Sequence, residues 1–332
     1  MAGDTVIRMQ SFWNTLPKPF VVMAPMADVT DAAFRALVAK CGAPDVFWTE
    51  FVSADGIYHT REMKKMKDEE NPLMRDLQFS PSEHPIVAQL FTSQPEMMRY
   101  TAKLCADLGF DGIDINMGCP DRTIEKQGCG SAMIKNPERA VEIIRAAQEG
   151  SGLPVSVKTR VGYNKESLDE WLPVLLEANP AAITLHLRTR KQMSLVPADW
   201  ELMKKAVEIR NRVNPNVLLI GNGDVQDLDD ARAKIAESGC DGAMIGRGMF
   251  GNPWVFAGRK NEDTPLAEKL AALIELAYGF EKITPAKNFA ILKKHIKAFV
   301  TGFDGAAELR HELMQAESAT EMERVIRALD KR

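Results

Sequence analysis

Five times in succession, a short β-branched or apolar run is followed by a longer amphipathic stretch. That rhythm restricts the fold of this chain more than any other feature. Strand-like runs at 86–90, 113–116, 155–158, 183–186 and 217–220 precede helical periodicity over 95–108, 137–148, 168–178, 200–212 and 228–238. Pro95 and Pro137 open two of the helices, and Gly109 and Gly239 stop two. Earlier runs at 20–24 and 46–49, and a last one at 242–245, bring the strands to eight. Asp28 or Thr30 can cap the helix after the first strand, which ends at Cys41-Gly42. Eight strands with helices between them over residues 20–256 are what a (β/α)8 TIM barrel needs, typically ~250 residues. A doubly wound open sheet is the alternative, but no GxGxxG follows the first strand.

The rest of the chain reads differently. Residues 1–19 form a mixed lead-in, and 55–82 are polar and charged, either a lid or a solvated helical insertion. Beyond 257 the β signals vanish and helical periodicity covers 266–278, 286–301, 306–317 and 319–329. The expected class is therefore α/β: a catalytic TIM barrel over 1–257 followed by a smaller all-helical domain over 258–332. Lys282, Lys287, Lys293, Lys294 and Lys297 fall in that tail with no acid among them, and His295 and Phe299 are interleaved. With 42 basic against 46 acidic residues the chain has a net charge of −4, so a polyanion must be met by a local patch. This lysine stretch is the best candidate for phosphate contacts.

Five cysteines, odd in number and without CxxC spacing, suit reduced thiols in a cytoplasmic protein. No apolar h-region opens the chain and no run is long enough to span a bilayer, so no membrane partner is expected. No Asp/Glu/His set stands at metal spacing, so no catalytic metal is expected either. Oligomeric state is not readable from the sequence, and a monomer is the expectation.

Barrel chemistry sits at the C-terminal ends of the strands. Those ends carry Pro25-Met26-Ala27, Glu50, Gln89, Asn116 with Cys119, Lys158, His186, Asn222-Gly223-Asp224 and Gly246-Arg247-Gly248. The run Gly112-Ile113-Asp114-Ile115-Asn116-Met117-Gly118-Cys119-Pro120 reads as a strand closing on a tight turn that fixes a cysteine at the sheet edge. Gly128-Cys129-Gly130-Ser131 then lets backbone approach closely. The glycine-rich loops after strands seven and eight, the second with Arg247, suit a phosphate monoester. A phosphate handle fits a phosphosugar as well as a flavin. Lys158 at the mouth can face the N1–C2 edge of a reduced isoalloxazine, with Gln89 and neutral His186 as hydrogen-bonding partners. A Schiff-base lysine, which needs desolvation, is the other use of such a residue.

Taken together, these motifs resemble the tRNA-dihydrouridine synthase family, FMN-dependent enzymes that reduce uridine in tRNA. The matching pieces are Ala24-Pro25-Met26, Val29-Thr30-Asp31, Phe34-Arg35, Asn116 to Pro120, Gly128 to Ser131, Val157-Lys158-Thr159-Arg160, His186-Leu187-Arg188-Thr189, Gly221 to Asp224 and Gly246-Arg247-Gly248. Leu187 stands where the family commonly has a small residue. The resemblance implies that Pro25, Met26, Ala27, Gln89, Lys158, His186, Asn222, Gly223, Asp224, Gly246 and Arg247 hold FMN, with NADPH as reductant. It implies Cys119 as general acid and Asn116 as a contact of the extruded uracil. Lys126, Arg188, Arg190 and Lys191 at the rim, with Lys287, Lys293, Lys294 and Lys297 in the tail, are the expected tRNA contacts. The alternative is a small-molecule FMN oxidoreductase of the dihydroorotate dehydrogenase type, which has no use for the tail.

Overall fold

The computed structural model describes residues 11–329; residues 1–10 of the expected lead-in and 330–332 of the expected helical domain lie outside the described residues. Its strands are β1 (Phe20–Met23), β2 (Phe47–Trp48), β3 (Val52–Ser53), β4 (Ile86–Phe91), β5 (Gly112–Met117), β6 (Val155–Arg160), β7 (Ala182–His186), β8 (Leu218–Asn222) and β9 (Gly242–Ile245). All pairings are parallel, in the order β1-β9-β8-β7-β6-β5-β4-β2, with β3 added to the C-terminal end of β4. Hydrogen bonds from Met23 N to Val46 O (3.2 Å) and from Asp45 N to Val21 O (3.0 Å) bring β2 back to β1. Eight staves thus close a (β/α)8 barrel. The two-residue β3 is the one strand the sequence pattern did not supply.

Period-two alternation divides the core in two. Phe20, Val22, Trp48, Val87, Ile220 and Met244 fill the barrel interior. Val21, Met23, Ile113, Ile115, Val157, Ile183, Leu185 and Ile245 face outward into the helical shell. Trp13, on a single 3-10 turn at Phe12–Asn14, joins the interior set with its ring 5.9 Å from those of Phe20 and Trp48. Residues 11–19 are therefore a stopper under the barrel, not a simple lead-in.

The helices are α1 (Ala32–Gly42), α2 (Ala54–Tyr58), α3 (Pro72–Arg75), α4 (Pro95–Asp107), α5 (Arg122–Lys126), α6 (Pro137–Ser151) and α7 (Leu168–Glu177). They continue as α8 (Glu201–Val213), α9 (Leu228–Ser238), α10 (Leu266–Glu281), α11 (Lys293–Phe299), α12 (Ala306–Gln315) and α13 (Ala319–Arg327). Asp31, not Asp28 or Thr30, caps α1 by accepting from Phe34 N at 3.0 Å. Thr30 is occupied one turn earlier, where its hydroxyl accepts from Met26 N at 2.9 Å and shapes the loop after β1. Gly239 ends α9 in the left-handed region, at φ +74°. Ile57, Met74 and Leu77 bury the two ends of the polar segment 55–82, whereas residues 63–70 between them are largely exposed, so a solvated insertion describes its middle. Buried Arg35 of α1 holds the end of the segment, donating from Nη2 to Gln78 O and from Nε to nearby Glu83 at 2.5 Å. Among the described residues no helix is long and apolar enough to cross a membrane.

The tail is helical as expected, but 286–301 is not one helix: a 3-10 turn at Phe289–Ile291 precedes the short α11. It packs on the barrel through α1. Leu273, Leu276 and Phe280 of α10 share one apolar cluster with Leu37 and Val38, and Lys40 pairs with Glu275 at 2.7 Å.

His295 of α11 is buried at this junction, its ring 4.8 Å from Phe34 and 5.1 Å from Phe250. Burial, with Lys294 nearby, lowers its pKa to about 4. The unfolded imidazole takes its proton near pH 6.5, so between these values the unfolded state binds more protons and acid destabilises the fold. The loss starts as pH falls through 6.5 and is complete below 4, about 3 kcal/mol in all. Urea unfolding of wild type and His295→Leu at pH 7 and pH 4 checks this. Wild type should lose about 3 kcal/mol more than the variant; parallel losses would refute it.

Candidate active site

The polar residues at the top of the barrel interior form a relay from its centre to the cysteine turn. Fully buried Asp114 accepts from Gln89 Nε2 (2.7 Å) and Ser156 Oγ (2.6 Å), and burial pushes its carboxyl above the usual range. Gln89 Oε1 accepts from Asn116 Nδ2 at 3.0 Å. Asn116 Oδ1 in turn accepts from Gly118 N (3.2 Å) and Cys119 N (2.9 Å). Gln89 is fully buried with both ends of its amide engaged, and Asn116 spends its carboxamide on Gln89 and the turn. These bonds orient both amides and, through Asn116, the Cys119 turn, and each amide nitrogen keeps a second N–H.

Beside this relay opens a cleft of about 230 Å³ that gathers Pro25, Met26, Lys158, His186, Asn222, Gly223, Asp224, Gly246 and Arg247. Of the expected cofactor residues, Gln89 and Ala27 do not line it; Ala27 is exposed on the loop after β1. Arg160, Arg188 and Ser194 also line it. Arg160 has the same strand parity as Lys158 and lies in the motif already quoted, so alternation alone was enough to find it. Arg188 was expected at the rim. It is 2% exposed, paired with Asp224, with Nε donating to Val196 O at 2.5 Å. It is a wall of the cleft, because it needs Asp224 and the following loop to satisfy its fork.

The cleft is strongly cationic: Lys158, Arg160, Arg188 and Arg247 line it against the single carboxylate of Asp224. Lys158 donates to Asn222 Oδ1 at 3.0 Å, and burial, then Arg160, lowers it to about 8. His186 is driven well below its ordinary value by burial and the surrounding cations, so it is neutral at pH 7. Its Nε2 lies 3.2 Å from an Arg188 donor and accepts, which assigns the ring proton to Nδ1. Asp224 is held below the usual carboxylate range by Arg188 foremost, and Arg247 reaches its other oxygen at 2.5 Å while staying two-thirds exposed. Gly223 sits at φ +125°, where an added Cβ would come within 2.8 Å of Ala198 Cβ. An excess of fixed positive charge, free glycine N–H groups and a buried lysine fit the phosphate and electron-rich ring edge of a flavin mononucleotide.

Cys119 sits half-buried on the turn after β5, against Phe91, Ile124 and Cys129. Its carbonyl accepts from both Ser131 N and Ser131 Oγ at 2.9 Å. Gly130, at φ +58°, passes so close that an added Cβ would lie 2.6 Å from that carbonyl. The downstream Gly-Cys-Gly-Ser run is thus the brace of the cysteine turn. Arg160 Nε donates to Gly118 O at 2.8 Å and joins the turn to the cleft. Burial raises the Cys119 pKa, so the sulfur carries its proton at neutral pH. The Leu187 side chain points outward into the helical shell, while its N–H donates to Asn222 O at 2.9 Å. No cluster of three or more metal-ligating side chains occurs among the described residues.

The expected RNA-facing cations divide. Lys126, Lys191 and Lys297 are exposed. Arg190 clasps Glu125 of α5 (Nε to Oε2, 2.9 Å) and stacks over Tyr163. Lys293 donates to Met314 O at 2.7 Å, and Lys294, still half-exposed, pairs with Asp28 at 2.7 Å. Lys287 must be withdrawn as an RNA contact. Its side chain is 3% exposed and held by Glu50 at 2.5 Å and Asp76 at 3.3 Å. The lysine stretch 282–297 looked unpaired only because the acids that meet Lys287 and Lys294 come from distant loops of the barrel.

A family model described as Dihydrouridine synthase (Dus) matches residues 22–332. A protein of Staphylococcus epidermidis named "Probable tRNA-dihydrouridine synthase" is 41% identical over 327 residues, covering 97% of each chain. One of Bacillus subtilis named "Probable tRNA-dihydrouridine synthase 2" is 40% identical over 316 residues, covering 94% of each. Among solved structures, a 2-naphthoyl-CoA reductase complex superposes with a TM-score of 0.53 at 10% identity, over 73% of this chain and 50% of the other. Histamine dehydrogenase from Rhizobium sp. 4-9 does so with a TM-score of 0.51 at 13% identity, over 82% and 50%. These two likenesses concern the fold, and the chain spans about half the length of each.

Proposed function

The chain belongs to the dihydrouridine synthase family, and from that premise we propose that it reduces the C5=C6 bond of uridine in tRNA to 5,6-dihydrouridine. It is a flavin-dependent oxidoreductase; FMN is the form of flavin we assign, and NADPH the reductant. When bound, FMN supplies the hydride that C6 of the uracil receives. The residues of the chain do the rest. Arg247 and the N–H groups around Gly223 and Gly246 hold the phosphate. Lys158, held by Asn222, offsets negative charge at the ring edge, and neutral His186, its Nε2 taken by Arg188, donates from Nδ1. Charge then develops on the uracil toward C5, and Cys119 delivers the proton from Sγ to that carbon. The target base must leave its stack to reach this position. Gln89, Asn116 and Ser131 hold the cysteine turn still while it does so.

The observation that carries this reading is the pairing of a protonated thiol on a braced turn with a cleft of net positive charge, joined by Arg160. Residues 1–257 act as the catalytic barrel in the cytoplasm. Residues 258–332 bind the tRNA, with Lys293, Lys294 and Lys297 on phosphates and Lys126, Arg190 and Lys191 at the mouth. Mapping dihydrouridine in tRNA from a strain lacking the gene tests it: specific positions should revert to uridine and return on complementation. Unchanged dihydrouridine content would overturn the reading.

Arg247→Ala removes one charge-assisted contact to the phosphate, worth roughly 1.5–3 kcal/mol. FMN affinity, measured by fluorescence titration of the apoprotein, should fall at least about tenfold. Unchanged affinity would remove Arg247 from the phosphate site.

A further inference from the structure

The loop after β7 carries an apolar knuckle that the site described above does not use. Leu195 is 85% exposed, Met193 38% and Val196 39%, all within four residues. Exposed apolar clusters rimmed by polar residues mark interaction surfaces, and the backbone here is tied in place. Arg160 donates to Met193 O at 2.9 Å, Arg188 to Val196 O at 2.5 Å, and Ala198 N to Asp224 at 2.9 Å. Arg190 N and Lys191 N donate to the carbonyls of Gly162 and Tyr163, both at 2.9 Å. Met193 takes a left-handed conformation, φ +54°, to keep the turn. The cationic walls of the cleft therefore hold the loop rigid with its hydrocarbon in water.

Its surroundings define what covers it. Ser194, between the exposed side chains, lines the cleft itself. Lys191 is exposed beside it, and Arg190's grip on Glu125 sets the loop against α5, whose Arg122 and Lys126 are exposed. An apolar tip framed by cations and continuous with a cleft built for an extruded base matches nucleic acid whose stack has been opened: hydrocarbon against the bared face of a base, cations on the flanking phosphates. We propose that Leu195, backed by Met193, packs against the base next to the target uridine and holds the stack open while the uridine occupies the cleft. This rests on the tRNA reading above and names the residue that stabilises the extruded state.

The test uses the FMN-loaded full chain and total tRNA lacking dihydrouridine, with Leu195→Ser and Met193→Ser/Leu195→Ser. Because Leu195 packs against nothing, its unfolding midpoint should stay at the wild-type value. The salt slope of tRNA affinity should also stay, because no phosphate contact is lost. In contrast kcat should fall about tenfold, the loss expected of one base contact, and Leu195→Met should restore it. Lys191→Ala should instead reduce the salt slope by about one. Serine variants that turn over tRNA at the wild-type kcat would overturn the proposal and leave the knuckle to a protein partner. Wild-type enzyme that does not reduce tRNA at all would overturn the functional reading first, and this proposal with it.

Discussion

Replacing Cys119 with alanine is expected to slow tRNA reduction by roughly 10²–10⁴-fold, the usual contribution of a positioned general acid. The loss should fall on the proton-transfer half of the reaction. Cys119 does not line the cationic cleft, so the variant should bind FMN and accept electrons from NADPH as wild type does. It should then stall when uridine is offered. Cys119→Ser, with a far weaker acid at the same place, should recover little. Since burial raises the thiol's pKa, the proton stays on sulfur through neutral pH. The wild-type rate should therefore descend only on the alkaline side of the ordinary thiol range, and Cys119→Ala should lack that limb. Stopped-flow flavin reoxidation across pH measures both. A variant that matches wild type would show that the proton comes from elsewhere.

The largest effect on stability is expected at Lys287. Its ammonium is enclosed with Glu50 and Asp76, the first only 7% exposed. Glu50 also accepts from the Asp28 amide, so it is built into the loop after β1. Lys287→Met leaves that carboxylate buried and uncompensated, a change that costs about 3–5 kcal/mol. Burial already raises the pKa of Glu50, and Lys287 is the main opposing influence. Urea unfolding should show the loss, and adding Glu50→Gln should recover most of it, because the pair then goes as a unit. An unchanged midpoint in Lys287→Met would refute the account of this junction. One practical consequence follows for the tail: removing residues 258–332 also strips Glu50 of its partner, so such a truncation should be made in a Glu50→Gln background.

The barrel was legible because eight strand runs recur along the chain, most of them followed by a helical period, and each stave needs only its own residues to declare its two faces. The same logic placed Lys158, His186, Asn222 and Arg247 at one mouth, since strand ends converge by topology. It failed where a partner is remote. Lys287 and Glu50 are 237 residues apart, and no local pattern distinguishes a buried, neutralised lysine from a solvated one. Arg188 was misplaced for the same reason, its partner Asp224 lying on the next strand's loop. Gln89 and Asn116 were placed at the right height, but that each amide orients the other is set by three-dimensional packing. Trp13 carries no periodicity at all; only the open end of the barrel explains it.

Anaerobic mixing of the reduced FMN-loaded enzyme with tRNA lacking dihydrouridine, followed by flavin absorbance, puts the central claim to the most direct trial. Flavin is expected to return to its oxidised colour in step with dihydrouridine formed, one for one, and Cys119→Ala to stay reduced on the same timescale. Flavin that remains reduced with tRNA but is reoxidised by a free pyrimidine such as orotate would contradict it.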